Sequence, residues 1–229
     1  MHMLALALQR KKHAVIVPDL RGHGQSMYVA SRAGGDPIKI DRERMKKNAL
    51  EATILDVEAV KKFLLDKNNK GELNIEQLCV VGSGFGSLVA LNWAMLDWNK
   101  RSLPAYKMGR DVKALVLVSP LQSFRGMTAR AALTHPVIRK GLPTLVIVGR
   151  NDTHAYSDAK RVFRYFERFH GKEAKDLGFI DPDTSLQGYK LINARGLDIP
   201  GKIAQFVNWI LVRQASKFPW HDRTSPLDQ

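Results

Sequence analysis

The stretch from Leu78 to Leu91 reads LCVVGSGFGSLVAL, and it decides the fold. Its opening run of apolar and β-branched residues predicts a buried strand of a parallel sheet. Glycine then occupies every second position from Gly82 to Gly86, and an apolar run with helical spacing follows. Such a bend needs residues that accept a positive φ and let the helix approach the strand closely, which glycine does. The sequence therefore predicts a strand that turns sharply into a helix.

This turn resembles the nucleophile elbow of the α/β-hydrolase family, whose pattern is Gly-x-Ser-x-Gly. The resemblance is to the serine-hydrolase and lysophospholipase-like branch of that family. It implies that Gly84 stands where the family carries its attacking side chain. A hydrogen at that position keeps the bend and removes the nucleophile. Glycine also relieves backbone strain there, worth on the order of 1 kcal/mol.

A second resemblance lies near the start of the chain. Residues Met3 to Lys12 have the pattern of a short amphipathic helix, and His13 to Pro18 that of a buried strand. The loop that follows, Asp19 to Ser26, reads DLRGHGQS and is similar to a loop beside the active site of the same family. The resemblance implies a structural role for His23.

The third resemblance concerns the remaining catalytic positions. Gly149-Arg-Asn-Asp152 follows a predicted strand and resembles the Gly-x-x-Asp turn whose aspartate orients the family's histidine. We predict the last strand at Gly188 to Asn193, and the family's histidine lies in the loop after it. The matching position is assigned to Arg195, whose guanidinium cannot accept a proton. The triad-equivalent positions are therefore Gly84, Asp152 and Arg195.

The pattern of elements predicts an α/β fold with a mostly parallel, doubly wound sheet of the α/β-hydrolase type. With 229 residues, 45% of them hydrophobic, the chain suffices for one domain, which we place at 1–214 with a C-terminal tail at 215–229. Many relatives carry a cap domain between the strands at 112–120 and 144–148. The segment from Leu121 to Gly141 is too short for a sizeable cap, so we expect an open, shallow crevice.

By resemblance, the helix at Met3 to Lys12 corresponds to the one after the family's third strand. The first strands and the His-Gly oxyanion loop of the family have no counterpart in this sequence. Either the chain is the carboxyl-terminal part of a longer product, or the strands at 14–18 and 78–82 pair directly in a reduced sheet. We expect the first.

The formal net charge of +14 raises the expectation of phosphate-rich partners. The basic residues are spread along the chain, so weak, salt-dependent contact with nucleic acid is expected rather than sequence readout. The one cysteine, Cys79, lies in the predicted central strand and is interpreted as a buried thiol. Neither a secretory signal nor a stretch of membrane-spanning length is present, which favours a cytoplasmic protein without membrane insertion.

Other chemistries have weaker support in the sequence. A hydrolase with a non-standard constellation would have to use Ser83, Ser87, or Ser119 with His154. The spacing Gly82-x-Gly84-x-x-Ser87 also resembles a loosened dinucleotide fingerprint, but the acidic residue expected after the next strand is missing. The histidines show no metal-ligand spacing, so we predict no metal site and no cofactor.

These observations predict a hydrolase-fold protein that is inactive as a serine hydrolase and acts as a ligand-binding or protein-interaction scaffold, with enzymatic activity left open. The expected contact surface is the crevice at the carboxyl ends of the strands. We expect Arg195 either to form an ion pair with Asp152 or to help the elbow amides hold a small anionic ligand. The candidate ligand-binding residues are Ser83, Phe85, Gly86, Asp152, His154 and Arg195.

Overall fold

A computed structural model of the chain describes residues 1–31, 34–103, 106–171 and 174–225. The last residues of the predicted tail, 226–229, lie outside the described part. The helices run over α1 His2–Arg10, α2 Lys47–Glu51, α3 Thr53–Asn69, α4 Phe85–Asn99, α5 Arg130–Thr134, α6 Pro136–Gly141, α7 Tyr156–His170, α8 Gly188–Ile192 and α9 Ile199–Val207. The strands run over β1 Tyr28–Val29, β2 Ile38–Lys39, β3 Leu78–Ser83, β4 Val112–Val118, β5 Ser123–Phe124, β6 Met127–Thr128, β7 Thr144–Ile147 and β8 Leu177–Ile180.

The main sheet has four parallel strands in the order β3-β4-β7-β8. Strand β4 is central and buried on both faces because nearly all of its residues are apolar. Its side chains alternate with the period of two expected of a strand: Leu115 and Leu117 join one core cluster, and Val116 and Val118 join the other. The predicted parallel α/β architecture is confirmed.

Helices cover both faces of this sheet. The larger cluster lies between the sheet and α2 to α7, and the smaller one lies under α1, α8 and α9. The stretch from Asp41 to Asn69 forms a short 3₁₀ turn, α2 and α3, and Asp41 caps only the 3₁₀ turn. Phe169 on α7 is 41% exposed, and the Arg139 guanidinium lies over its ring, 4.3 Å from the centroid.

The segment from His13 to Pro18, predicted as a buried strand, forms no strand in the structure. It does not pair directly with β3, which is one of the two edge strands of the main sheet among the described residues. Without a neighbouring strand its backbone has no ladder to join, and Ile16 and Val17 are 41% and 52% exposed. Only Val15 packs on the smaller core cluster from this stretch.

The last strand was predicted at Gly188 to Asn193, and this prediction is wrong. That stretch forms α8, whose Leu191 and Ile192 are buried on the smaller core cluster. The fourth strand is instead β8, which pairs with β7 from Thr144↔Leu177 to Ile147↔Ile180. A short apolar run does not distinguish a strand from one turn of buried helix.

No sizeable cap covers the carboxyl ends of the strands in the described residues, as predicted. Between β4 and β7 the chain forms a tight hairpin, β5 and β6, and two short helices, α5 and α6. Within the described ranges, no helix is long and apolar enough to cross a membrane.

A cluster of buried charges ties the C-terminal segment to the amino end of the sheet. Lys61 Nζ lies 2.5 Å from Asp97 Oδ1 and 2.6 Å from Asp111 Oδ2. Arg223 Nη1 lies 2.5 Å from Asp111 Oδ1 and 3.1 Å from Glu76 Oε1. Since these side chains are almost completely buried, each charge relies on its partners rather than on water.

Candidate functional site

The predicted elbow is present at the end of β3. Gly84 has φ 55° and ψ −122°, a conformation that side-chain-bearing residues rarely adopt, and α4 begins at the next residue. Its backbone N–H donates to Val118 O on the neighbouring strand at 2.9 Å. A Cβ built on Gly84 would meet no atom within 4 Å. The bend therefore leaves room for a side chain that this sequence does not supply.

Close packing at the elbow explains the glycine before Ser83. A Cβ on Gly82 would lie 2.5 Å from Gly86 O and 2.6 Å from Ser87 Cα. The first turn of α4 can thus lie against β3 only if residue 82 has no side chain. The hydroxyl of Ser87 is buried and donates to Gly84 O at 2.6 Å, which closes the turn.

Asp152 lies on the loop after β7 and is 1% exposed. Its Oδ1 accepts the backbone N–H groups of His154 at 3.0 Å and Ala155 at 2.9 Å. It also accepts the side-chain amide of Gln187, whose Nε2 lies 2.6 Å away. Asp152 Oδ2 is buried and has no hydrogen-bond partner among the described residues.

The loop after β8 carries Gln187 to this position by hydrogen bonds to the loop after β7. Arg150 N donates to Pro182 O at 2.8 Å, and Asn151 N donates to Thr184 O at 3.0 Å. Gly149 must be a glycine because a Cβ there would lie 2.4 Å from Thr184 O. These contacts hold the two loops side by side.

Two further contacts complete the geometry around Gln187. The next residue, Gly188, donates its N–H to Ser119 Oγ at 2.9 Å, at the end of β4. A Cβ on Gly188 would lie 3.0 Å from Ser83 Oγ, so this loop also reaches the elbow. The loops at the carboxyl ends of β3, β4, β7 and β8 therefore contact one another at one edge of the sheet.

Arg195 is exposed and forms no ion pair with Asp152, both being described residues. The predicted contact between them is absent because the stretch before Arg195 is the helix α8 and not a strand that ends at the crevice. Gln187 occupies the position on Asp152 that we assigned to Arg195. Had the sequence identified β8 as the last strand, the loop after β8, which carries Gln187, would have been the expected position.

The other predicted site residues divide into two groups. Ser83, Phe85 and Gly86 lie at the elbow, and the Phe85 ring packs against Phe124 with ring centroids 5.4 Å apart. His154 lies at the exposed rim next to Asp152, and its ring forms no hydrogen bond with Ser119, whose hydroxyl accepts from Gly188. The proposed pair of His154 with Ser119 is therefore not assembled in the described structure.

Two pKa shifts bear on the chemistry near the crevice. The hydrogen bond from Arg150 lowers the pKa of Asp181, the first residue after β8, and burial partly opposes this. Burial raises the pKa of the Cys79 thiol in β3 to about 12, so it is protonated at neutral pH. A protonated thiol is a poor nucleophile, so Cys79 is not a reactive cysteine at neutral pH.

A comparison of the sequence against known families adds to this geometry. The profile of one family, described as serine aminopeptidase, S33, matches residues 1–170. The chain belongs to this serine aminopeptidase family. The matched range includes the elbow and Asp152, whereas Gln187 and Arg195 lie beyond it. Neither the search of curated proteins nor that of solved structures found a match.

Proposed function

We propose that this member of the serine aminopeptidase family is inactive as a serine hydrolase and uses the strand-end crevice as a binding scaffold. The observation that carries this proposal is the hydrogen at Gly84, in a backbone conformation that would aim a side chain into open space. Covalent acyl transfer needs an atom that attacks the carbonyl and a group that accepts its proton. The chain supplies neither at the positions where the family's geometry requires them.

The side chain that is hydrogen-bonded to Asp152 supports the same proposal. The side-chain amide of Gln187 is neutral, does not titrate between pH 2 and pH 12, and donates its N–H to the carboxylate. It cannot act as the general base that histidine provides in a serine triad. The missing nucleophile at residue 84 and the missing base on Asp152 are two separate changes. Each of them removes a group that acyl transfer needs.

The crevice retains groups that bind anions without catalysis. The first backbone N–H groups of α4, at Phe85 and Gly86, have no acceptor within the helix, and the helix dipole places partial positive charge there. The exposed side chain of His154 lies at the rim of the same crevice. A small carboxylate or phosphate fits this chemistry better than a cationic ligand does. A protein partner that presents such a group is the alternative occupant.

The catalytic half of the proposal is tested with a panel of aryl esters and aminoacyl arylamides. We expect hydrolysis at the rate of the buffer blank, with a Gly84→Ala variant giving the same rate. Turnover by the wild-type protein that is abolished by Ser119→Ala or His154→Ala would instead support a hydrolase with a non-standard constellation.

The binding half is tested by ¹H-¹⁵N NMR during a titration with inorganic phosphate and then with acetate. We expect the amide signals of Phe85 and Gly86 to shift in a saturable way. Sodium chloride at equal ionic strength is the control. Unchanged signals for both amides would exclude the elbow as an anion site and leave the protein-interaction role.

A further inference from the structure

A second concave site lies on the opposite side of β7 and β8 from α7. It is a surface cavity of about 470 Å³ between these strands and α9. Its apolar wall consists of Leu145, Ile180, Phe206 and Trp209. None of these residues belongs to the crevice at the elbow, so the cavity is separate from the site described above. Its volume is in the range of cavities that hold small organic ligands.

Three cations surround this apolar wall: Lys175, Lys202 and Arg213. Among the described residues, no aspartate or glutamate lines the cavity, and none of the three cations has an ion-pair partner. The Arg213 guanidinium lies over the Trp209 ring, 5.4 Å from its centroid. Like charges placed around one apolar cavity repel one another, and an anion bound between them would remove that repulsion.

The helix that forms one wall has an unusual backbone at this point. After α9 the chain continues as a π-helical turn over Asn208–Val212, and Arg213 N donates to Asn208 O at 2.9 Å. This turn brings Asn208, Trp209 and Arg213 together on the cavity wall. Turns of this kind are rare in proteins and often occur at functional sites.

We propose that this cavity binds an amphiphilic organic anion, with one carboxylate or phosphate head and an apolar chain. The head lies between Lys202, Arg213 and Lys175, where a guanidinium and two ammonium groups donate charge-assisted hydrogen bonds. The apolar chain lies on Leu145 and Trp209 and their apolar neighbours. This inference is independent of the proposed function, because it uses different residues and a different face of the sheet.

The test uses calorimetry and tryptophan fluorescence with decanoate and decyl phosphate, each below its micelle-forming concentration. Trp209 lies in the cavity and reports binding directly. Three further compounds serve as controls. Decylammonium and decanol keep the apolar chain and change the charge of the head, so they measure how much the negative charge contributes to affinity. Inorganic phosphate lacks the apolar chain, so it measures how much the chain contributes. The double variant Lys202→Gln/Arg213→Gln removes two of the cations. Its matched control, Lys160→Gln/Arg164→Gln, removes one lysine and one arginine from the exposed face of α7.

We expect either anionic amphiphile to bind the wild-type protein and the control, and the Lys202/Arg213 variant to bind it at least about tenfold more weakly. Decylammonium and decanol are expected to bind more weakly than decanoate, and inorganic phosphate more weakly than decyl phosphate. Equal affinity for decanoate and decylammonium, or for decyl phosphate and inorganic phosphate, would overturn the proposal. So would unchanged affinity in the double variant, no binding of either amphiphile, or association only with phosphatidylglycerol vesicles.

Discussion

Gln187 donates its side-chain amide to the buried carboxylate of Asp152 across 2.6 Å, and this bond joins the loop after β8 to the loop after β7. In a serine triad a carboxylate orients a histidine and stabilises its protonated form. An amide fills the same space and satisfies the same oxygen, but it has no proton chemistry to offer. Asp152 therefore anchors the loop after β8 to the loop after β7.

The close approach at Gly82 gives the first prediction. Gly82→Ala would place a Cβ 2.5 Å from the backbone oxygen of Gly86, and neither backbone can give way without moving α4 off β3. We expect the free energy of unfolding to fall by about 2 to 4 kcal/mol, measured by urea denaturation.

Gly86→Ala is the matched control, because a Cβ there meets no atom within 4 Å and the residue lies inside a helix. It should leave stability unchanged or raise it by up to about 1 kcal/mol. If both variants unfold at the same urea concentration, the packing account of the elbow is wrong.

The buried charge cluster gives the second prediction. Arg223→Met removes the cation that pairs with Asp111 and Glu76 and leaves part of their negative charge uncompensated in the interior. We expect a loss of about 3 kcal/mol in unfolding free energy. Arg150→Met, which breaks the exposed pair with Asp181, should leave the urea midpoint nearly unchanged. Equal effects of the two substitutions would contradict a structural role for the cluster.

The same cluster predicts how stability depends on pH. Burial acts to raise the pKa of Asp111, but the hydrogen bonds and charges of Arg223 and Lys61 outweigh it, so the net shift is downward. A carboxyl group with a lowered pKa in the folded state stabilises the fold above its unfolded pKa of about 4. That contribution is lost as the pH falls through the folded pKa.

We therefore expect the unfolding free energy to fall as the pH drops below about 4, followed by circular dichroism in urea at each pH. The Arg223→Met variant should show a shallower fall, because the pKa of Asp111 is less depressed without its partner. An equal slope in both proteins would show that other carboxyl groups set the acid limit.

The sequence predicted the parts of the site that local rules determine. The elbow follows from alternating glycines after an apolar run, and Asp152 follows from the turn after a buried strand. Gln187 was not identified, because its role depends on which segment forms the fourth strand. The apolar residues of α8 and those of β8 have similar patterns over only a few positions. Pairing with β7 decides between them, and that is a long-range contact.

The segment from His13 to Pro18 also shows that a residue pattern does not determine which strands pair. Its apolar, β-branched pattern is typical of a buried strand, but a strand also needs a neighbour with free backbone groups at the right place. In the structure β3 does not pair with it, and Ile16 and Val17 remain largely exposed. The residue pattern predicted that this segment favours an extended strand. Whether the strand forms depends on a neighbouring strand to pair with, and that is a tertiary contact.

The final prediction introduces a serine and a histidine at the two positions where the proposal requires them to be absent. A serine at residue 84 would have open space for its side chain, at a backbone cost of about 1 to 3 kcal/mol for the positive φ. A histidine at residue 187 would find the unpartnered Oδ2 of Asp152 as an acceptor for its ring N–H. We expect Gly84→Ser/Gln187→His to hydrolyse p-nitrophenyl acetate at least about 100-fold faster than the wild-type protein. Adding Asp152→Asn should remove most of that gain.

The most direct test of the central claim is intact-mass spectrometry after exposure of the folded wild-type protein and the double variant to a fluorophosphonate probe. The account predicts one covalent adduct on the variant, at residue 84, and none on the wild-type protein. A single stoichiometric adduct on a wild-type serine, lost when the protein is first unfolded, would contradict it.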